Sequence, residues 1–420
     1  MPSSAPWLTV IGIGEDGDAG LGERARDAID AAEILVGSER QLALVRHARA
    51  VRVPLPSPLL AHVDALIAAH RGRRVVFLAS GDPLLHGIGE TLAQRVGADE
   101  MRVLPAPSAF ALACAHLRWA QTDIALVSAV ARPLANVRRE LAPGRRIVVY
   151  SEDGATSAHL AALLCGAGFG ASTMHVFERL GGPFEQRRDG VADSWTELVC
   201  DALNVVAIDC TRAPAAPAFA TLAGLPDEAF EHDGALTKRE VRAATLARLA
   251  PQPGHLLWDV GAGSGSIGIE WMRAHASCRA IAFERDPERA ARIARNAQAL
   301  GVPALRVVLG CAPDAFPADD AERGDVRPDA AFVGGGLNAD GTLLATCWQA
   351  LRPGGRLVVN VMTIDGERRV ADAHERYGGE LARIAVSRAV PIGGVLGWRP
   401  LTPVTQWAVT KPYAVDETSP

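Results

Sequence analysis

A chain of 420 residues is too long for one hydrophobic core and points to two or three domains. With 49% apolar and 22% charged residues it has the composition of a globular protein, and no apolar run approaches the roughly 18 residues of a membrane-spanning helix. Its net charge of −5 disfavours a nucleic-acid partner, since domains that bind nucleic acid are usually basic.

The opening MPSSAPWLTVIGIG enters a strand almost at once, without the basic and then apolar stretches of a secretion signal, so a cytoplasmic location is expected. Strand-like and helix-like runs then alternate: WLTVIGIG, ARDAIDAAEILVG, RRVVFLASGDP, HGIGETLAQRV, RRIVVYSEDG near 145–154 and LNVVAIDC near 203–210. That alternation predicts an α/β chain of parallel sheets covered by helices. TRAPAAPAF follows Cys210 as a linker rich in Pro and Ala, and the domain boundary is expected near 211–222. Further strands are expected at about 255–260, 279–284, 305–309, 329–333, 356–361, 383–390 and 404–410, the order of a Rossmann-like methyltransferase sheet of seven strands. The tail after Lys411 is polar and reads as loose. Seven cysteines lie between Cys114 and Cys347 without a C-x-x-C, and 11 histidines form no H-x-H or H-E-x-x-H. The cysteines read as small buried apolar residues in a reducing compartment, and no metal site is legible.

The most informative block is DVGAGSGSIGIE followed by AFERD. A strand carrying Asp259 runs into the turn Gly261, Ala262, Gly263, Ser264, Gly265 and then a helix, while a second strand closes on Glu284. Glycines let a backbone approach a nucleotide-like cofactor, and the acid accepts from ribose hydroxyls. The spacing favours S-adenosylmethionine over NAD; a tight turn and a surface acid are the bland alternatives. The fourth strand ends FVGGG, without the Asn/Asp-Pro-Pro-aromatic motif that accepts from an exocyclic amine, so base N-methylation is not expected. Gly334, Gly335 and Gly336 either open space for a bulky flat substrate or form a flexible loop. Upstream, Thr237 and Glu240 have capping-box spacing. Lys238 and Arg242 oppose the helix dipole there, which suggests an anionic ligand. In the first half, Gly81-Asp82-Pro83 is a rigid turn after an apolar strand, which means little by itself.

GLPDEAF, LTKREVR, DVGAGSG and FVGGG together resemble the decarboxylating precorrin C15-methyltransferase domains of cobalamin biosynthesis, over about residues 224–410. The resemblance implies that Thr237, Gly261 to Gly265, Glu284 and Ala312 contact S-adenosylmethionine. Ala262 stands where relatives often have Cys, and the Ser-Gly-His of some relatives is missing before the last strand. VIGIGEDG, AEILVGSERQL, LASGDPLLHGIGETL and PAPSAFALACAHL resemble the tetrapyrrole methylase family over about residues 7–210. That likeness implies two αβ subdomains with S-adenosylmethionine between them, contacted by Gly12, Gly81, Asp82, Pro83, Ser108 and Ala109. FERLGGPFE and the Glu15-Asp16-Gly17 ending fit its precorrin C5 branch, where many members have G-x-G-P-G instead.

The two resemblances imply a tetrapyrrole methylase domain at 1–212 fused to a methyltransferase domain at 223–411. They imply two methylations of a precorrin, at C5 and C15, with decarboxylation of its ring C acetate, one S-adenosylmethionine site per domain, and a homo-oligomer. Lys238 and Arg242 are the candidates for pairing substrate carboxylates, with Arg132 and Arg179 as further cations in the first half. The competing readings are a fusion to an RNA or other small-molecule methyltransferase, and one half kept only as a scaffold.

Overall fold

The computed structural model describes residues 6–46, 48–56, 58–196, 199–217, 219–317, 326–337 and 342–413. The chain divides into two units: Met1–Leu134 with Glu140–Pro217, and Ala218–Pro420 with the short segment Ala135–Arg139.

The first unit holds two sheets. Strands β1 (Leu8–Ile13), β2 (Ile34–Gly37), β3 (Val51–Pro54), β4 (Val75–Ser80) and β5 (Met101–Leu104) lie in the order β3-β2-β4-β1-β5. All these pairs are parallel. Every residue of β1, LTVIGI, is buried, as a central parallel strand covered on both faces must be. Strands β6 (Ile124–Ser128), β7 (Arg146–Tyr150), β8 (Thr173–Glu178), β9 (Gln186–Val191) and β10 (Asn204–Asp209) form the second sheet, in the order β6-β7-β10-β8-β9. Here the expectation of parallel sheets fails: only β6–β7 is parallel, and the other three pairs are antiparallel. The segment RLGGPFE between β8 and β9 is too short for a crossover and can only reverse the chain.

The second unit contains β11 (Leu256–Val260), β12 (Arg279–Glu284), β13 (Arg306–Leu309), β14 (Ala330–Val333), β15 (Arg356–Val361), β16 (Glu380–Ile384), β17 (Ser387–Ile392), β18 (Val395–Pro400) and β19 (Val404–Thr410). Seven of them form one sheet, β13-β12-β11-β14-β15-β19-β16, with β19 antiparallel to both neighbours. The strand expected near 383–390 is in fact the end of β16 and the start of β17. The latter turns at Gly393 and Gly394, both with positive φ, and pairs with β18 as a separate hairpin. Alternation splits the β11 side chains between two cores. Leu257 packs with Trp271 and Phe332 on one face, and Trp258 with Phe283 and Trp407 on the other. Strand order reverses between β11 and β14, the kind of switch point where open α/β sheets bind ligands. No helix among the described residues is long and apolar enough to cross a membrane.

Candidate functional site

In the second unit a cavity of about 900 Å³ opens at the carboxyl ends of the strands around that switch point. Two left-handed glycines line it, Gly261 (φ +69°) and Gly263 (φ +60°), and Gly265 (φ +77°) ends the same turn. A side chain at Gly261 would stand 3.1 Å from the Gly335 carbonyl oxygen, so the two loops meet backbone to backbone. Glu284 is buried at the end of β12, and its carboxylate accepts from the Gly263 N–H at 2.8 Å and the Asp286 N–H at 3.0 Å. Each oxygen keeps a second lone pair, and the residue lies on the cavity wall. Thr237, Lys238, Gly261, Ala262, Gly263, Ser264 and Ala312 share that wall.

Three of the expected site residues are not on it. Asp259 is 1% exposed, and its Oδ2 accepts from the Gly268 N–H at 2.9 Å, inside the helix Ser266–Ala274. Burial pushes its carboxyl up to about 7, with the Gly268 bond opposing the shift. Gly265 is a packing glycine, since a Cβ there would lie 2.7 Å from Ile293. Arg242 corrects the sequence expectation most sharply. It is 0% exposed and donates to Glu270 Oε1 at 2.6 Å, to Asp227 Oδ1 at 3.2 Å, and to the Thr237 and Leu225 carbonyls. Its charge is already spent inside the protein, so it cannot reach a substrate carboxylate. Nor is there a capping box: the helix runs Arg239–Leu249, Lys238 occupies the cap without a side-chain bond, and Glu240 pairs with Arg388 at 2.7 Å.

Asn360, Met362, Arg285 and the foot of the β17–β18 hairpin also line the cavity, and the sequence reading missed them. Asn360 had a signal, being the one polar residue among LVVNV in β15. The cavity suits S-adenosylmethionine. Ser264 Oγ is buried without a partner among the described residues, and a Cβ at Gly335 or Gly336 would meet nothing within 4 Å. An unmet hydroxyl, a carboxylate with spare lone pairs and open space beside a glycine turn are the groups a nucleoside and its tail would satisfy.

The first unit gathers its motif residues by close backbone contact. A Cβ on Gly12 would stand 2.0 Å from the Gly81 carbonyl and 2.5 Å from the Ala106 nitrogen. Gly81 (φ +59°) in turn faces Ser108 Cα at 3.0 Å and Ala109 N at 3.6 Å from its own would-be Cβ. Ser108 caps the helix Ala109–Leu117 by accepting from the Ala111 N–H at 3.1 Å. Asp82 Oδ1 accepts from the Leu84 N–H at 2.9 Å and the Pro83 carbonyl from the Gly89 N–H at 2.9 Å, which locks the turn. Arg132 donates to His86 Nδ1 at 3.2 Å, and burial followed by the Arg132 charge lowers the His86 pKa. Arg179 pairs with Asp201 at 2.6 Å. The Glu15 loop also touches the GGPFE loop, since a Cβ on Gly182 would lie 2.5 Å from Glu15 Cβ.

Two α/β units, each with glycines packed at the ends of its central strands, have the layout of a fused pair of methyltransferase-type domains. Residues 8–194 match the family model for tetrapyrrole (corrin/porphyrin) methylases, and residues 228–411 match that for the precorrin methyltransferase domain. Over 97% of both chains, the protein is 49% identical to a precorrin-6Y C(5,15)-methyltransferase [decarboxylating] of Sinorhizobium sp. Two shorter relatives are each 32% identical over 41% of this chain. One is a cobalt-precorrin-7 C(5)-methyltransferase of Salmonella typhimurium, covered over 85% of its length. The other is a probable cobalt-precorrin-6B C(15)-methyltransferase (decarboxylating) of Methanosarcina acetivorans, covered over 91%. The chain belongs to the family of decarboxylating precorrin-6Y C(5,15)-methyltransferases.

Proposed function

We propose that residues 1–212 methylate C5 of a precorrin, and that residues 223–411 methylate C15 and release the ring C acetate as CO₂. Each domain holds its own S-adenosylmethionine, which supplies an electrophilic methyl group when bound. The observation that carries this division is the presence of two separate glycine-built sites, Gly12–Gly81–Ser108 in one unit and Gly261–Gly335 in the other. The two short relatives, each about half this chain, support one methylation per half.

A meso carbon of a reduced tetrapyrrole is enamine-like and already nucleophilic. The protein's task is to hold it about 3–3.5 Å from the methyl, in line with the departing sulfur, and no strong base is needed. Glu284 orients the ribose, the glycine turn admits the methionine part, and Lys238 pairs a substrate carboxylate. Arg242 acts as a positioning residue, through its bond to the Thr237 carbonyl on the cavity wall. In the first unit Gly12, Gly81, Asp82, Pro83, Ser108 and Ala109 frame the cofactor, and Arg132 serves the substrate. The free cysteines Cys114 to Cys347 support a cytoplasmic location. The exposed apolar outer residues of the hairpin, Leu396 and Trp398, support a homo-oligomer.

Mass spectrometry of product from the full chain, with the tetrapyrrole and S-adenosylmethionine, tests the division. The wild type should add two methyls and lose CO₂, and a Gly81→Val chain should add one methyl and still lose CO₂. Two methyls from the variant would refute the proposed allocation.

A further inference from the structure

The cavity of the second unit is electrically two-sided. Glu284 reaches its wall from the end of β12, and Arg285, Arg289 and Asp314 from the segments that follow β12 and β13. Lys238 and the Cys311 thiol are the remaining ionisable wall groups, and Lys238 has no side-chain partner among the described residues. Across the switch point, over β14, β15, β19 and β16, the wall changes character. Beyond the Gly334–Gly336 loop it includes Asn360, Met362, Ile384, Val386, Leu401 and Thr402, and among its described residues none ionises. Arg369 and Arg383 lie off this wall. Arg369 donates to the Leu337 carbonyl at 2.6 Å, and Arg383 is bound to the Glu367 carboxylate.

The neutral side is nevertheless not featureless. Asn360 Oδ1 accepts from Gln406 Nε2 at 2.9 Å, and Asn360 Nδ2 donates to Thr245 Oγ1 at 2.8 Å. Thr245 is fully buried and donates onward to the Val241 carbonyl at 2.8 Å. The amide is thereby clamped from below, with one N–H left over for the cavity. Thr402 adds an exposed hydroxyl on the same wall.

We propose that the ring acetate lost as CO₂ is seated against this uncharged wall, contacted by the neutral donors Asn360 and Thr402, while carboxylates that survive are held by Lys238 and Arg285. The proposal rests on the assignment of decarboxylation to this unit. In the step itself the C–C bond between the acetate methylene and its carboxylate breaks. The electron pair moves into the conjugated ring imine, CO₂ departs, and a proton from water converts the methylene to a methyl group. The negative charge thus leaves the carboxylate and spreads into the macrocycle. A guanidinium or ammonium paired with that carboxylate would stabilise the starting state more than the transition state and would slow the step. A wall of neutral donors fixes the carboxylate's position without that penalty.

Full-length Met362→Lys and Met362→Gln chains test the idea, because Met362 is 64% exposed and a longer polar side chain there need not disturb the core. S-Adenosylmethionine binding by calorimetry serves as the folding check, and CO₂ release is followed against ring concentration. The expected result is a kcat for CO₂ release at least about tenfold lower in the Lys chain than in the Gln chain, with KM for the ring unchanged or lower. Equal kcat in the two chains, or a deficit carried by a raised KM, would overturn the proposal. A wild-type chain that releases no CO₂ would instead sink the underlying assignment. Thr402→Lys against Thr402→Gln repeats the measurement at a second point of the wall, with the same criterion.

Discussion

The two units use glycine for opposite purposes. In the first, Gly12 and Gly81 are crowded, and no β-carbon fits between β1, the turn after β4 and the segment before the Ala109–Leu117 helix. In the cavity of the second, Gly335 and Gly336 border empty space, while a Cβ on Gly261 or Gly263 would approach the backbone of Gly335 or Ala235 less closely, at 3.1 and 3.3 Å. The first site is a joint between loops, held shut by shape. The second is an open cavity whose outline depends on a buried charge network beneath it. A glycine-rich motif therefore reports two different physical needs, close packing of backbone on backbone or room for a ligand, and only the surroundings tell which.

The largest effect that would sharpen this contrast belongs to the charge network. Replacing Arg242 with Met leaves Glu270 buried without its guanidinium and Asp227 with Arg388 alone, and removal of one partner from such a cluster costs about 3–5 kcal/mol. Denaturant unfolding followed at the tryptophans should place that loss in the second unit, with C15 methylation failing and C5 methylation retained. An Arg242→Met chain of wild-type stability would mean that shape, not charge, holds both sites. Next comes Gly12→Ala. A methyl 2.0 Å from the Gly81 oxygen must push the loops apart, and a displacement of that size costs on the order of 100-fold in a positioned reaction. Product mass spectrometry should show C5 methylation falling by that factor while C15 methylation stays; retention of both would break the comparison.

Asp259 supplies a smaller effect with a definite sign. Its folded pKa, about 7, lies above its ordinary 3.8, so between these values the native state binds more protons than the unfolded one. Stability contributed by this group is therefore present at low pH and is lost as pH rises toward 7, with a slope of at most about 1.4 kcal/mol per pH unit. Asn can still accept from the Gly268 N–H and carries no charge to desolvate. Thermal melts of Asp259→Asn should match wild type near pH 4 and exceed it at pH 8, and a constant difference across that range would contradict the assignment.

Much of this was legible from local pattern. The strands at 356–361 and 404–410 and the acid closing β12 follow from apolar runs ending at glycine or charge, which a short window records. The misreadings share a cause in long-range contact. Arg242 looked like a ligand-binding cation because its partners, Asp227 and Glu270, are 15 and 28 residues away in sequence. A hint existed in Glu270, a carboxylate inside the apolar helical run SIGIEWM, where an acid must find a buried cation. The β17–β18 hairpin was missed because its strands carry few buried residues, so alternation gave no signal there.

The smallest effect is the finest test of what the open glycines do. Gly335 has no positive φ, and a Cβ there meets nothing within 4 Å, so Gly335→Ala should leave the fold within about 0.5 kcal/mol of wild type. Gly12→Ala, by contrast, forces a clash inside the protein. If the space beside Gly335 belongs to the macrocycle, the added methyl occupies volume that the ring needs. The melting temperature should then hold while KM for the tetrapyrrole rises by about tenfold or more, the roughly 1–3 kcal/mol scale of one misplaced methylene in a pocket. S-Adenosylmethionine affinity, read by calorimetry on the same sample, should move less than ring affinity, because Gly335 lies across the switch point from Glu284. A variant that loses cofactor affinity first would place the methionine tail, and not the ring, beside the FVGGG loop. The two glycine sets would then both serve the cofactor, and the contrast between a packed joint and an open substrate wall would have to be redrawn.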